Sequence, residues 1–179
     1  MPVDVNAVVL SNTQLSHDYN TVILAAPRLG DRALPGQFVM VKATSGDDPL
    51  LRRPFSVFEI LRDDEGRSTG VSLLNKRIGV TTRALYALRA GDHVRCLGPL
   101  GRPFSVAEPP EQAWMVAGGV GLAAFATLAA TLRARRVDTT LFYGGRRADD
   151  LFHVDTFESL GVHLRLATDD GSRGDHGNV

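Results

Sequence analysis

The chain has 179 residues, of which 44% are hydrophobic and 22% are charged, a composition typical of folded globular domains. Basic and acidic residues are equal at 20 each, so the net charge gives no electrostatic support for nucleic acid or a membrane surface as a partner. No apolar run approaches the roughly 20 residues that span a bilayer, and the N-terminus lacks the features of a signal peptide. We therefore expect a cytoplasmic protein. A single cysteine, Cys96, and scattered histidines predict no metal site built from this chain alone.

The first half of the chain alternates short apolar, β-branched segments with turn signals, which indicates an all-β antiparallel barrel or sandwich. One helix, over residues 82–88, is expected to interrupt the strands after Gly79. The predicted strands cover residues 3–10, 19–25, 37–42, 54–61, 70–75 and 93–97.

The texture changes at Glu108-Pro109-Pro110-Glu111, where we place the boundary between a domain of residues 1–108 and a domain of residues 109–179. The second domain reads strand, helix, strand, helix, strand, which predicts an α/β doubly wound parallel sheet. Its predicted strands cover residues 114–117, 139–143 and 163–167, and its helices residues 122–136 and 154–160. About three strands are fewer than such a nucleotide-binding sheet usually has, so we expect this domain to be truncated.

The segment Arg53-Pro54-Phe55-Ser56 begins a predicted strand and combines a cation, an aromatic ring and a hydroxyl. The arginine fork can pair two oxygens of a diphosphate, and the serine can hydrogen-bond the edge of a heterocycle. Taken alone, the four residues are more commonly an ordinary strand, with Arg53 exposed, Phe55 in the core and Ser56 facing out, because four-residue matches are frequent.

Two further segments of the first half have the residue types of a phosphate site. Gly79, Thr81 and Thr82 lie at a predicted helix start, where free amides and the helix dipole favour an anion. Simple N-capping by a threonine explains the same pattern. Gly98-Pro99-Leu100-Gly101 is expected to be a rigid turn after the last strand.

The order of these segments resembles the FAD-binding barrel of the ferredoxin–NAD(P)H reductase superfamily. The double arginine of Arg52-Arg53-Pro54-Phe55-Ser56 is similar to the form found in electron-transfer subunits of dihydroorotate dehydrogenases. The resemblance implies an FAD site, with Ser56 as the catalytic residue that orients the flavin. The residues implied to line the flavin and its phosphates are Arg53, Pro54, Phe55, Ser56, Leu74, Asn75, Lys76, Gly79, Thr81 and Thr82.

The second half contains a glycine-rich segment, Gly118-Gly119-Val120-Gly121, between a predicted strand and a predicted helix. It fits a dinucleotide turn, in which glycines let the backbone approach a nicotinamide nucleotide, and it also fits a tight turn of any α/β sheet. Arg146 and Asp169 follow the next two strands, and by resemblance both lie near the nucleotide. The motifs fit NADH or NADPH.

The resemblance implies transfer of electrons from NADH through FAD and a 2Fe-2S cluster to an FMN-containing dihydroorotate dehydrogenase catalytic subunit in pyrimidine biosynthesis. The cluster is expected only in the full-length protein, because its cysteines are absent from this chain. An NAD(P)H reductase for another acceptor, such as ferredoxin, an oxygenase or a hydrogenase, is an alternative. A non-catalytic barrel that serves as a binding module is an alternative of another class.

Overall fold

The computed structural model describes residues 1–43, 50–106 and 112–179, and its contacts divide the chain into two compact units, Met1–Pro103 and Phe104–Val179. The boundary predicted between residues 108 and 109 lies outside the described residues. In the described ranges, no helix combines the length and the apolar character that crossing a bilayer requires.

The first unit is built on one antiparallel sheet of seven strands, and the predicted antiparallel barrel fold is confirmed. The order across the sheet is β4-β3-β7-β1-β2-β6-β5. Small and branched apolar side chains from most of these strands alternate inward and form a single core. The strands are β1 (Val3–Gln14), β2 (Tyr19–Ala25), β3 (Phe38–Lys42), β4 (Arg53–Ser56), β5 (Glu59–Arg62), β6 (Ser68–Lys76) and β7 (His93–Leu100).

Two helices accompany this sheet. The first, α1 (Pro27–Gly30), is a single turn that was not predicted, and its proline stands at the first helical position, where a missing amide hydrogen costs nothing. The second, α2 (Val80–Ala87), begins two residues before the predicted start. Its Leu85 is fully buried in the core of the sheet. Helix α2 therefore packs against the interior face of the first unit.

The single strand predicted over residues 54–61 is wrong, because the chain leaves one neighbour and joins another in the middle of this segment. Strand β4 pairs with β3, and strand β5 pairs with β6. Between them the amide of Val57 donates to Gln37 and the amide of Phe58 donates to Ser72. Both side chains at this bend are buried, which explains the continuous apolar pattern.

The turn predicted over Gly98-Pro99-Leu100-Gly101 begins later than expected. Strand β7 continues through Leu100, which pairs with Phe38 of β3. The chain turns at Gly101, whose φ of +86° lies in the region that favours glycine.

The second unit contains a parallel sheet in the order β11-β10-β9-β8, and the predicted parallel α/β fold is confirmed. The predicted long helix of residues 122–136 is interrupted: a 3-10 helix, Gly119–Ala124, precedes a shorter α-helix. Glycines disfavour a regular α-helix, which accounts for the later start. The elements are β8 (Gln112–Gly118), α3 (Ala126–Ala134), β9 (Asp138–Gly145), α4 (Val154–Ser159), β10 (His163–Thr168) and β11 (Asp175–His176).

The core of this unit lies on one face of its sheet. On β8, Met115 is 2% exposed, whereas its neighbour Trp114 is 72% exposed. Leu132 of α3 and Phe157 of α4 are buried with the inward-facing residues of the strands. The other face of β8 shows Trp114 edge-on to Phe142, with ring centroids 5.8 Å apart.

Candidate cofactor-binding sites

Arg53 begins β4 and is an exposed cation with no carboxylate partner among the described residues. Its Nη1 atom contacts the main-chain oxygens of Leu51 and Arg52, both at 3.3 Å. Arg52 is different, because its Nη2 atom donates to both carboxylate oxygens of Asp4, at 3.0 and 2.8 Å. Of this arginine pair, Arg53 is therefore the one whose charge is available to an anionic ligand.

Phe55 and Ser56 lie on opposite faces of β4. Phe55 is 9% exposed and belongs to the hydrophobic core, so it anchors the strand, and its contact with a flavin ring stays a prediction. Pro54, on the same face as Ser56, is exposed. The Ser56 hydroxyl is partly exposed, and no described residue is hydrogen-bonded to it. Strand β4 thus presents a free cation and a free hydroxyl beside a fixed core residue.

At the start of α2, one side chain caps the turn and two backbone amides have no acceptor among the described residues. The Thr82 hydroxyl oxygen accepts from the amides of Ile78 and Gly79, at 2.9 and 2.7 Å, and the hydroxyl donates to the Gly79 carbonyl. Thr82 therefore closes the turn, and its hydroxyl is committed to the protein. Within the described part of the chain, the amides of Val80 and Thr81 have no acceptor. Two amides at the positive end of the helix dipole are a suitable site for a phosphate oxygen.

Neither the backbone angles nor the packing around Gly79 requires glycine at this position. Its φ of −133° and ψ of −176° are accessible to any residue. A Cβ atom at this position would meet only the Thr82 hydroxyl oxygen, at 4.0 Å. The space in front of Gly79 is open, which fits a ligand that approaches the backbone closely.

Leu74, Asn75 and Lys76 lie at the end of β6, and the protein itself uses all three side chains. Leu74 is buried. The Lys76 ammonium group lies 5.0 Å from the centre of the Tyr19 ring, a cation–π contact. Asn75 is 0% exposed, and its side-chain amide faces the interior. A cofactor contact by Asn75 through its side chain is thus not supported, because both of its amide hydrogens bond to protein oxygens.

Sequence reasoning missed the hydrogen-bonded group of side chains to which Asn75 belongs. Asn75 donates to Asn20, and Asn20 donates to Asn12, so that three strand asparagines form one chain of side-chain amides. The available signal was the residue type itself, since asparagine is depleted in strands and a buried amide requires partners.

In the second unit, the parallel register brings the predicted nucleotide residues to one edge of the sheet. Gly118 at the end of β8 pairs with Gly144, and Gly144 pairs with Ala167 of β10. Asp169 comes directly after the last residue of β10, and its amide donates to the Gly145 carbonyl at 3.0 Å. Ligands of parallel sheets bind at the carboxyl ends of the strands, and this is the edge where these residues meet.

Gly118 and Gly121 repeat the pattern seen at Gly79. A Cβ atom at either position would meet nothing within 4 Å. Gly118 has ordinary extended angles, with φ −125° and ψ 127°. Gly119 between them has a φ of +49°, so glycine is required there by the turn. The open space at Gly118 and Gly121 fits close approach by a nucleotide.

Arg146 and Asp169 lie on the two loops that border this edge. The Arg146 side chain is exposed, and the structure shows no partner for it among the described residues. The loops are tied together, because Ala148 donates to the Ser172 hydroxyl and Asp170 donates through its amide to Arg146. Hydrogen bonds from Ser172 lower the pKa of Asp170, so this loop carries negative charge at neutral pH.

The titratable groups of the described residues include neither a reactive cysteine nor a metal-binding cluster. Burial raises the pKa of the Cys96 thiol to about 12, so this cysteine is not a nucleophile. Within the described residues, no group of three or more histidine, cysteine or acidic side chains is close enough to hold a metal ion. The chain cannot supply the cysteines that a 2Fe-2S cluster requires.

The donor set of the first unit fits FAD. A diphosphate needs cationic and amide donors. Arg53 offers a charge that no described carboxylate neutralises, and the amides of Val80 and Thr81 have no acceptor among the described residues. Gly79 leaves room for the ligand beside the helix start. The Ser56 hydroxyl adds one neutral donor and acceptor for a heterocycle edge.

Comparison with known proteins agrees with this chemistry. Residues 6–104 match the family described as the oxidoreductase FAD-binding domain. The chain is 36% identical over 155 residues to the electron-transfer subunit of dihydroorotate dehydrogenase B (NAD(+)) of Desulforamulus reducens, covering 86% of this chain and 57% of that protein. It is 32% identical to the subunit of the same name from Bacillus cereus, covering 97% of this chain and 66% of that protein.

A solved structure gives the same result for the fold. The NADH-dependent reduced ferredoxin–NADP oxidoreductase, described for flavin-based electron bifurcation, superimposes with a TM-score of 0.80 at 26% identity. The superposition covers 97% of this chain and 60% of that one. The chain spans 57% to 66% of the length of the two curated relatives. The family match covers more than half of the sequence and includes every candidate flavin residue, and the chain accordingly belongs to the oxidoreductase FAD-binding domain family.

Proposed function

We propose that this chain is the flavin-binding and nicotinamide-binding part of a dihydroorotate dehydrogenase electron-transfer subunit. The observation that carries the proposal is the pair of open glycine sites, Gly79 in the first unit and Gly118 with Gly121 in the second. Each has open space in front of a glycine at which the protein alone does not need glycine. One such site in each unit suits a reaction that brings two nucleotides together.

The first unit would hold FAD through its diphosphate. Arg53 would pair with phosphate oxygens, and the amides of Val80 and Thr81 would donate to them at the positive end of the α2 dipole. Thr82 would act indirectly, because its hydroxyl holds the turn that carries these amides.

Ser56 would contact the flavin ring. Its hydroxyl lies one residue after Phe55, whose burial fixes the position of the strand. The hydroxyl would orient the ring and hydrogen-bond its reactive edge. Bound FAD supplies the ability to accept two electrons and release them singly. The protein contributes position and electrostatics, so we expect no essential general acid among its side chains.

The second unit would hold NADH at the carboxyl edge of its sheet. Gly118, Gly119 and Gly121 would let the backbone approach the nucleotide closely. Arg146 would contact its phosphates, and Asp169 would lie beside its ribose or nicotinamide. The electron acceptor would be the FMN-containing catalytic subunit of a dihydroorotate dehydrogenase. This is supported by two relatives that match most of the chain and are named electron-transfer subunits of dihydroorotate dehydrogenase B.

Titration of FAD into the chain tests the proposal, with Arg53→Met as the informative variant. A lost charge-assisted hydrogen bond costs about 1.5–3 kcal/mol, so we expect the Kd for FAD to rise roughly 10- to 150-fold. Arg67→Met is the matched control, because Arg67 pairs with Asp63 and Glu65 in the hairpin between β5 and β6. An unmodified chain that binds no FAD would refute the function, and equal Kd values for both variants would refute the role of Arg53.

A further inference from the structure

Three asparagines occupy neighbouring strands of the first unit, at positions where strands rarely contain them. Asn12 lies in β1, Asn20 in β2 and Asn75 in β6, and Asn20 and Asn75 face each other in the β2–β6 register. Asn20 and Asn75 are both 0% exposed. A buried side-chain amide without hydrogen bonds is unfavourable, so the partners of these amides decide their effect.

The three side-chain amides are hydrogen-bonded in series, and each donates to the next one in the same direction. Asn75 Nδ2 donates to Asn20 Oδ1 at 2.7 Å, and Asn20 Nδ2 donates to Asn12 Oδ1 at 2.6 Å. Flipping any one amide would set oxygen against oxygen, so the three orientations are mutually fixed. The two hydrogen bonds between the side-chain amides therefore both run from β6 towards β1.

The asparagine side chains also donate hydrogen bonds to backbone carbonyls near both ends of helix α2. Asn75 Nδ2 also donates to the carbonyl of Thr82, in the first turn, at 2.9 Å. Asn12 Nδ2 donates to carbonyls at the other end of the helix, where the last carbonyls have few backbone partners. These acceptors are Leu85 at 3.1 Å, Tyr86 at 3.1 Å and Leu88 at 2.8 Å.

Such an arrangement fixes orientation at some cost in stability. The Asn75 Oδ1 atom is buried and has no hydrogen-bond partner among the described residues. Since an unsatisfied buried oxygen is unfavourable, apolar side chains would pack this interior at lower cost. Directional bonds to both ends of a helix give what apolar packing does not, namely a defined rotation and position of the helix axis.

Helix α2 needs this support because it has only eight residues. A helix of this length is not stable alone and takes its position from tertiary contacts. The free amides of Val80 and Thr81 move with its first turn, so a small rotation would turn them away from a bound phosphate.

We propose that Asn12, Asn20 and Asn75 are positioning residues that hold helix α2 so that its first-turn amides meet the diphosphate of FAD. The inference rests on the proposed FAD function and adds to it residues that contact no cofactor. It assigns the diphosphate part of FAD affinity, and not the flavin part, to a side-chain network inside the sheet.

The test is Asn12→Asp, which keeps the shape of the side chain and removes the donors to the helix carbonyls. We expect the Kd for FAD to rise about tenfold or more, because α2 loses the side-chain hydrogen bonds that fix the position of its far end. The Kd for riboflavin, which has no diphosphate, should stay unchanged. Phosphorus NMR of bound FAD should show shifted diphosphate signals, while the visible flavin spectrum remains that of the unmodified protein.

Ser72→Ala is the matched control, because Ser72 is a fully buried polar residue of β6 that donates to Glu59 of β5 and has no hydrogen bond to α2 among the described residues. It should leave the ratio of the FAD and riboflavin Kd values unchanged. If Asn12→Asp does not fold, Asn12→Ser retains one donor, and it should raise the Kd for FAD by a smaller factor.

The outcomes separate the two proposals. Equal losses of FAD and riboflavin affinity in Asn12→Asp would show a purely structural role and overturn the inference alone, as would an unchanged Kd for FAD. An unmodified chain that binds no FAD would overturn the proposed function, and the inference with it.

Discussion

Replacing Gly118 by alanine should change folding stability and nucleotide affinity in opposite directions. The backbone angles at Gly118 are ordinary extended ones, and a Cβ atom would meet nothing within 4 Å. Alanine therefore fits the folded chain and restricts the unfolded chain. We expect Gly118→Ala to raise the free energy of unfolding by about 0.4–1 kcal/mol.

The same methyl group would occupy the space that a nicotinamide nucleotide is proposed to use. Forcing one extra carbon into a close contact costs about 1–3 kcal/mol, which corresponds to a roughly 5- to 150-fold rise in the Kd for NADH. A variant that is more stable and binds less tightly cannot be explained by damage to the fold.

Urea unfolding and an NADH titration measure the two quantities. Gly161→Ala is the control: its φ is +72° with open space around it, so alanine there should cost about 1–2 kcal/mol of stability and leave NADH binding intact. A Gly118→Ala variant that binds NADH with an unchanged Kd would refute the reasoning, as would one that is destabilised.

Three other predictions concern stability and reactivity. Arg136, just after α3, has a φ of +58°, so Arg136→Gly should raise the free energy of unfolding by about 1 kcal/mol in a urea titration. Cys96, with its pKa raised to about 12, should not react with a thiol reagent at pH 8 until the chain unfolds, and rapid native labelling would contradict its burial. Burial raises the pKa of Glu59 in the folded state, so its ionisation costs stability as pH rises through that value. Glu59→Gln should therefore be more stable than the unmodified chain at neutral pH, with the difference vanishing in acid, as followed by unfolding at several pH values.

Much of the fold could be predicted because the local pattern and the tertiary structure agree. Strand β2 has the predicted bounds, since its apolar and β-branched residues are typical of a strand and most of its side chains are buried. The segment of residues 54–61 could not be divided correctly, because the change of partner at Val57 is set by Gln37, which is distant in sequence. A continuous apolar run does not reveal such a bend.

The candidate site was predictable where backbone chemistry is decisive. Gly79 and Gly118 could be singled out as candidates from their places beside a helix start and a strand end, and their role in binding stays a prediction. The directions of Phe55 and Asn75 could not, because they depend on which face of a strand meets the core. Asn20 gave no motif at all, since its role exists only through partners on two other elements.

The most direct test of the FAD proposal is an absorbance spectrum of the purified chain after incubation with FAD and removal of free ligand, followed by anaerobic addition of NADH. We predict that the flavin is retained and that its visible band bleaches on addition of NADH. A folded chain that retains no flavin would contradict the central claim.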